Sequence, residues 1–214
     1  MNKLLLSAAL LFSSSSFAGI IGNVNHTYGT DNYIPNSMGT NSCDSKNTGS
    51  VTIKDTSTGC QRFSDVFDFS ALDFDTIDRF ELDLTFSGTN DRNCVMFIFC
   101  TNEDWRILPA SNGQRATLAE QTKLTRASGI TQQTFVFDAN TLSSLFNDIV
   151  DSKKFSLWFS EEAFGANNFN LYSANLTIHG SASQPVVDEP AKVPAPASIA
   201  LLGLGLLMLR RFKK

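Results

Sequence analysis

The segment Phe80-Glu81-Leu82-Asp83-Leu84-Thr85-Phe86 alternates apolar and polar residues without a break, and no other local feature limits the fold as sharply. Successive side chains of a strand point to opposite faces, so four apolar side chains face a core while Glu81, Asp83 and Thr85 face water. Ser87-Gly88-Thr89-Asn90 supplies the turn chemistry that ends the strand. Phenylalanine, of which the chain holds 18, falls in similar patterns elsewhere. Strands are predicted at Ser50–Lys54, Val66–Phe69, Val95–Phe99, Thr134–Asp138, Phe155–Ser160 and Tyr172–His179. The last puts Tyr172, Ala174, Leu176 and Ile178 on one face.

Only one stretch has a helical period. Leu142, Leu145, Phe146 and Ile149 recur at i, i+3, i+4, i+7, with Asn140 placed as the cap and Lys153-Lys154 just beyond. A short helix from Thr141 to about Asp151 is expected to close one end of the core. Short strands, frequent turns, one helix and no βαβ alternation point to an all-β fold: an antiparallel β-sandwich, jelly-roll-like, with one short helix.

The two ends read differently. Lys3 followed by the apolar run Leu4 to Phe12, then serines and Ser16-Phe17-Ala18, has the layout of a signal peptide, with cleavage by signal peptidase expected between Ala18 and Gly19. Residues 1–18 are therefore taken as a leader and 19–183 as the β-sandwich domain. Residues 184–193 form a linker that Pro185 and Pro190 keep extended. From Ala197 to Leu209 the chain is apolar, and Arg210, Arg211, Lys213 and Lys214 close it. At about 1.5 Å per residue this run, with the small residues just before it, at best barely crosses a hydrocarbon core of about 30 Å, and the terminal cations would hold its end in the cytoplasm.

The order Val193-Pro194-Ala195-Pro196-Ala197-Ser198, then Ile199-Ala200-Leu201-Leu202-Gly203-Leu204-Gly205-Leu206-Leu207 and a basic cluster, closely resembles the PEP-CTERM sorting signal of Gram-negative bacteria. Ala195 stands where that family usually has glutamate, which makes this a Pro-Ala-Pro variant. The resemblance implies a tail, residues 194–214, that anchors transiently in the inner membrane and is cut by an exosortase-like enzyme near Pro194, Ala195 and Pro196. It also implies export and association with exopolysaccharide, at the cell surface or outside the cell.

Charge and cysteines agree with an exported domain. All 21 acidic residues but only 12 of the 17 cations lie in residues 19–193, which gives that part a net charge of −9. A surface this acidic repels phosphate backbones and argues against nucleic-acid binding. Four cysteines in an exported chain point to disulfides. Cys94 and Cys100 flank one apolar stretch; as a straight strand at about 3.3 Å per residue it would hold them near 20 Å apart, so that each must reach Cys43 or Cys60. A turn inside the stretch would reverse that conclusion.

The inventory for catalysis is thin, and the chain is read as non-enzymatic. His26 and His179 are the only histidines, lie in no ligand spacing, and read as solvated or capping groups. Glu161 and Glu162 are adjacent on a strand and point apart, so they cannot flank one glycosidic bond. No cofactor is expected. The one candidate is calcium, for which Asp65, Asp68, Asp73, Asp75 and Asp78, with Asn90, Asp91 and Asn93, offer oxygen ligands that serve equally well as solvent-facing groups.

Two tryptophans carry the remaining possibility. Phe155, Leu157 and Phe159 share a face, which turns Trp158 outward, and Trp105 sits in the polar context Asn102-Glu103-Asp104. Flat rings beside carboxylates and amides suit a sugar-binding face, although tryptophans in sandwiches also serve simple packing. The leading expectation is a structural surface or matrix protein. The alternative is a lectin-like carbohydrate-binding module, with a polysaccharide-active enzyme or a protein-protein adhesin behind it.

Overall fold

The computed structural model describes residues 19–55, 60–95, 99–163 and 167–183. The expected leader with Ala18, the linker, and the tail with Pro194, Ala195 and Pro196 lie outside the described residues. Among the described residues, thirteen strands follow one another. They are β1 (Gly19–Thr27), β2 (Ser45–Asn47), β3 (Ser50–Lys54), β4 (Asp65–Asp68), β5 (Phe74–Ser87), β6 (Arg92–Val95), β7 (Phe99–Asn102), β8 (Trp105–Ser111), β9 (Gln114–Arg115), β10 (Thr122–Lys123), β11 (Thr131–Asp138), β12 (Lys154–Glu161) and β13 (Asn168–Ala182). Helix α1 (Phe146–Ser152) lies between β11 and β12.

One sheet has the order β11-β5-β13-β3-β2, and the other β10-β8-β12-β4. If β3, β4, β5, β8, β10, β11, β12 and β13 are counted as first to eighth, the sheets read 6-3-8-1 and 5-4-7-2, and consecutive strands mostly cross from one sheet to the other. That order is the jelly roll, two Greek keys wrapped into a sandwich. Strand β1 adds to the first sheet: it pairs with Ser173–Gly180 of β13, beyond the Asn168–Leu171 stretch that pairs with β3.

The period-two pattern builds the core as expected. Phe80, Leu82, Leu84 and Phe86 of β5 are fully buried, and Phe155, Leu157 and Phe159 of β12 face them from the other sheet. The Phe80 ring meets Phe146, Phe69 and Phe155 at centroid distances of 5.5, 5.6 and 5.8 Å. Edge-on and tilted contacts of this kind suit the ring quadrupole and fill space at crystal-like density.

Four details differ from the sequence expectation. In β13 a bulge between Leu171 and Ser173 shifts the phase, so Phe169 and Leu171 point inward, then Ala174, Leu176 and Ile178. Tyr172 is the extra residue, partly exposed, with its hydroxyl 3.0 Å from that of Ser87. The helix begins at Phe146, not Thr141. The buried face of Leu142, Leu145, Phe146 and Ile149 is present, but its first part is turns. Asp138, not Asn140, opens this segment, its Oδ1 accepting the N–H groups of Asn140 and Thr141 at 2.9 and 2.8 Å.

The third difference is β8, which Pro109 conceals in the sequence. Pro109 O accepts the Ala116 N–H at 2.8 Å, so that side of the residue faces away from β12. Backbone N and O of a strand residue point the same way, so the missing N–H falls in the gap between β9 and β10, where no bond is needed. The fourth is the stretch between Cys94 and Cys100. Instead of one straight strand, β6 and β7 run antiparallel with Cys94 directly opposite Cys100. Cys43 and Cys60 are joined to each other, with Cα atoms 5.1 Å apart, and Cys100 is also disulfide-bonded. The antiparallel register of β6 and β7 removes the supposed separation.

Connections at the helix end are fastened by Glu120. Its carboxylate accepts Thr117 N–H and Oγ1–H and Ser144 N–H and Oγ–H, all at 2.8 or 2.9 Å. Burial pulls this carboxyl upward, but the four donors outweigh it and hold the pKa at about 2 against an ordinary 4.5. A depressed carboxylate stabilises the fold above its unfolded value and loses that contribution as pH falls through the folded one. Glu120→Gln is therefore expected to lower stability at pH 7. In denaturant titrations across pH, the gap from the parent should close between about 4.5 and 2.

Candidate functional site

Strand β12 holds Trp158 on the outer face of the second sheet, because its neighbours Leu157 and Phe159 are committed to the core. The ring is half-buried and stands opposite Leu108 of β8. A tight reversal at Asn112 and Gly113, with φ of 47° and 82°, returns the chain so that Arg115 pairs with Ala110. The Arg115 guanidinium carbon thereby comes to lie 3.9 Å from the Trp158 ring centroid. Stacking of this kind joins a cation to the electron-rich ring face.

Polar groups surround the pair on the same face. Ser160 Oγ donates to Gln121 Oε1 at 3.2 Å. Asp104 Oδ2 receives both Arg106 Nη2 at 2.9 Å and Lys123 Nζ at 2.8 Å. Burial alone would raise the Asp104 carboxyl, but bonds from these two cations hold it below the ordinary value. The result is an aromatic plane, a guanidinium fork, a hydroxyl and an amide within one sheet surface. That inventory offers donors and acceptors to sugar hydroxyls, but Arg115 covers the ring face that the sequence reading left open, so a sugar stacked on Trp158 must displace the guanidinium.

Trp105 is a correction. It is 3% exposed and packs edge-on against Phe169, with centroids 4.7 Å apart, so it presents no ring face to a ligand. Glu103 beside it turns inward as well: it is 1% exposed, with its Oε2 accepting the Asp91 N–H at 3.1 Å. Trp105 also lines a small pocket with Asp44, Lys54, Asp55, Arg62 and Phe159. Burial raises the carboxyls of Asp44, Glu103 and Glu161 above their ordinary values. Glu161 is half-buried and bound by the Asp104 and Ala163 N–H groups at 2.8 Å, whereas Glu162 is exposed.

His26 was misread as solvated or capping. Its Nδ1 lies 2.7 Å from Asp65 Oδ2, and Asp65 is 1% exposed. The same carboxylate accepts Tyr28 O–H at 2.6 Å, Tyr33 O–H at 2.8 Å and the Val66 N–H at 2.8 Å. An ionised carboxylate can only accept, so the Nδ1 must carry the proton it donates. Tyr33 and Phe67 sandwich the imidazole at 4.1 and 4.6 Å. Burial, and next the charge of Asp65, push both phenols well above their usual range. This network ties β1 of one sheet to β4 of the other. No sequence signal marked it beyond His26 and Tyr28 sharing a strand face, since Asp65 lies 39 residues away.

The other aspartates of the supposed calcium cluster scatter. Asp65 is committed to the network, Asp68 accepts the Ser70 N–H at 2.9 Å, and Asp73, Asp75 and Asp78 are exposed on or just before β5. Among the described residues no three His, Cys, Asp or Glu side chains converge as metal ligands. His179 sits elsewhere again, with Nδ1 3.3 Å from Arg79 Nη2 and Nε2 3.4 Å from Glu81 Oε2. No described helix is long and apolar enough to cross a membrane.

No protein-family model and no curated protein matches the chain. Among solved structures it is similar to the coat protein of Tobacco streak virus, at 10% identity and a TM-score of 0.27, over 66% of this chain and 94% of that one.

Asp65→Asn would turn an amide N–H₂ toward donors that need an acceptor. It is expected to cost about 3 kcal/mol or more, because buried donors would be left without acceptors. Tyr33→Phe, which removes one donor, should cost only about 1 kcal/mol. Equilibrium denaturation with disulfides intact measures both. Equal, small effects would show that the network does not hold the sheets together.

Proposed function

We propose that the chain is an exported, tail-sorted protein of a Gram-negative cell surface or extracellular matrix, non-catalytic and associated with exopolysaccharide. The observation that carries this reading is the oxidised state of the cysteines, with Cys43 joined to Cys60 and Cys100 also in a disulfide. Cytosolic thiols are kept reduced, so structural disulfides favour a compartment beyond the inner membrane. The leader-like residues 1–18 and the Pro-Ala-Pro tail supply a route there through signal peptidase and an exosortase-like enzyme. Mass spectrometry of the protein from the surface or medium of the producing cell is expected to find a chain that begins at Gly19, ends near Pro194-Ala195-Pro196 and carries its cysteines as disulfides. A full-length chain with reduced thiols inside the cytoplasm would sink this reading.

A lectin-like role is favoured by a separate observation, the outward Trp158 with Arg115 stacked on it. Aromatic rings supply contact area at low conformational cost, and a guanidinium fork adds directed donors for hydroxyl or carboxylate oxygens. In affinity electrophoresis through gels containing the producing organism's exopolysaccharide, this role predicts retardation that Trp158→Ala abolishes. Mobility unchanged by the polymer, with calcium or with chelator, would leave the purely structural role.

A further inference from the structure

The sheet edges of this domain are not equally protected. In the second sheet the edge strands are short: β10 has two residues, one of them Lys123, and β4 has four. In the first sheet, β2 has three residues and β1 carries a bulge between Ile20 and Gly22. Short length, charge and bulges are the usual means of keeping an exposed edge from pairing with another chain. The opposite edge, β11, has none of them before its last residue, Asp138. It is eight residues long, pairs with β5 in one unbroken register, and contains no proline, lysine or bulge.

Its outer side is open. Among the described residues, the backbone groups of 131–137 bond to no segment other than β5. The nearest side-chain ties leave the edge clear: Gln133 reaches Thr125 N and Lys123 O, and Thr134 Oγ1 bonds Asp83 on the neighbouring strand. Every second residue of β11 therefore offers an N–H and a C=O to solvent. In an antiparallel sheet such a row is a template for another strand.

The residues themselves favour a second copy as that strand. From Ser128 to Phe137 there is no charged side chain, in a domain whose acidity otherwise drives copies apart. Ile130, Gln132, Thr134 and Val136 alternate along one exposed face, with Ile130 and Val136 exposed by 68% and 48%. If two copies run antiparallel with Gln133 opposite Gln133, Ile130 of each faces Val136 of the other, and Gln132 faces Thr134. Both exposed apolar residues are then covered, twice by symmetry, and Asp138 falls opposite Ser128 rather than another acid.

We propose that β11 is a self-association edge, through which two copies of this chain join their first sheets into one continuous antiparallel sheet. The exported protein, with disulfides intact, is expected to show a reversible monomer–dimer equilibrium in sedimentation velocity over about 1–200 µM, the range suited to an edge contact smaller than a standard interface. Val136→Lys should weaken association at least tenfold while leaving the melting temperature of the monomer unchanged. Adding Ile130→Glu to Val136→Lys should restore dimerisation, because the register sets these positions opposite one another across the pair and six residues apart within a chain. A protein monomeric over the whole range, a dimer indifferent to Val136→Lys, or a double variant that stays as weak as the single one would each overturn the proposal.

Discussion

The pairing of β5 with β13 is the constraint on which the remaining strands depend. These strands of 14 and 15 residues lie side by side from Asn170↔Ser87 to Ala182↔Phe74, in the middle of the first sheet. Their shared inner face sets what the second sheet must supply, and Phe67, Ile107, Phe155, Leu157 and Phe159 supply it. Bulges along β13 let a strand this long follow the twist of a closed sandwich. At one of them Gly180 lies so close to the Thr76 carbonyl that a Cβ there would collide with it. Glycine at that point is a condition of the approach of the two strands, because backbone offers no flexible side chain to yield.

Where side chains alternate strictly, sequence and structure agree. Ser50–Lys54 is the same in both, and β11 and β12 extend the expected segments by a few residues at most. Trp158 was legible for the same reason, since its orientation follows from Leu157 and Phe159 facing inward. What local pattern did not reveal is structure decided by distant partners. Strand β1 forms because β13 offers it an edge, β8 because a gap in its neighbours accommodates Pro109, and the β6–β7 pair because the chain reverses inside an apolar run that looks like one buried strand. Trp105 misled because Glu103 and Asp104 suggest solvent, whereas Glu103 is buried as deeply as the ring itself. The Asp65 network was invisible for a related reason: its partners come from the first and second sheets and meet only once the sandwich closes.

Buried carboxylates in this acidic domain fall into two kinds, and the number of donors around them decides which. Asp65 gathers four hydrogen-bond donors and Glu120 five, enough to replace the water they lose. Asp44, Glu103 and Glu161 have fewer, and burial raises their pKa values. A raised carboxyl binds its proton more tightly in the folded state, so its contribution declines as pH rises from the ordinary carboxylate range through the raised value. Glu120, held low, and these raised groups therefore push stability in opposite directions with pH. The well-donated group acts as a fastener between segments, while the poorly donated one is retained at a cost in stability once pH passes its raised value.

The two outer faces of the sandwich differ in a way that bears on its use. On the first sheet, the outer face is a ladder of amides, hydroxyls and carboxylates, with Asn23 donating to Thr177 at 3.1 Å and Thr134 bonded to Asp83. Away from the β11 edge, such groups satisfy one another. The second sheet instead carries Trp158 under Arg115, a cation with no carboxylate partner among the described residues. Joining copies at β11 would continue the first sheet and leave the Trp158 face of each copy uncovered. A polymer with repeated sugars could then meet two such faces at once, and the second contact would form at the high effective concentration set by the first. Under the proposed matrix role, a weak stacking site on a rigid sheet would suffice for retention without any deep pocket.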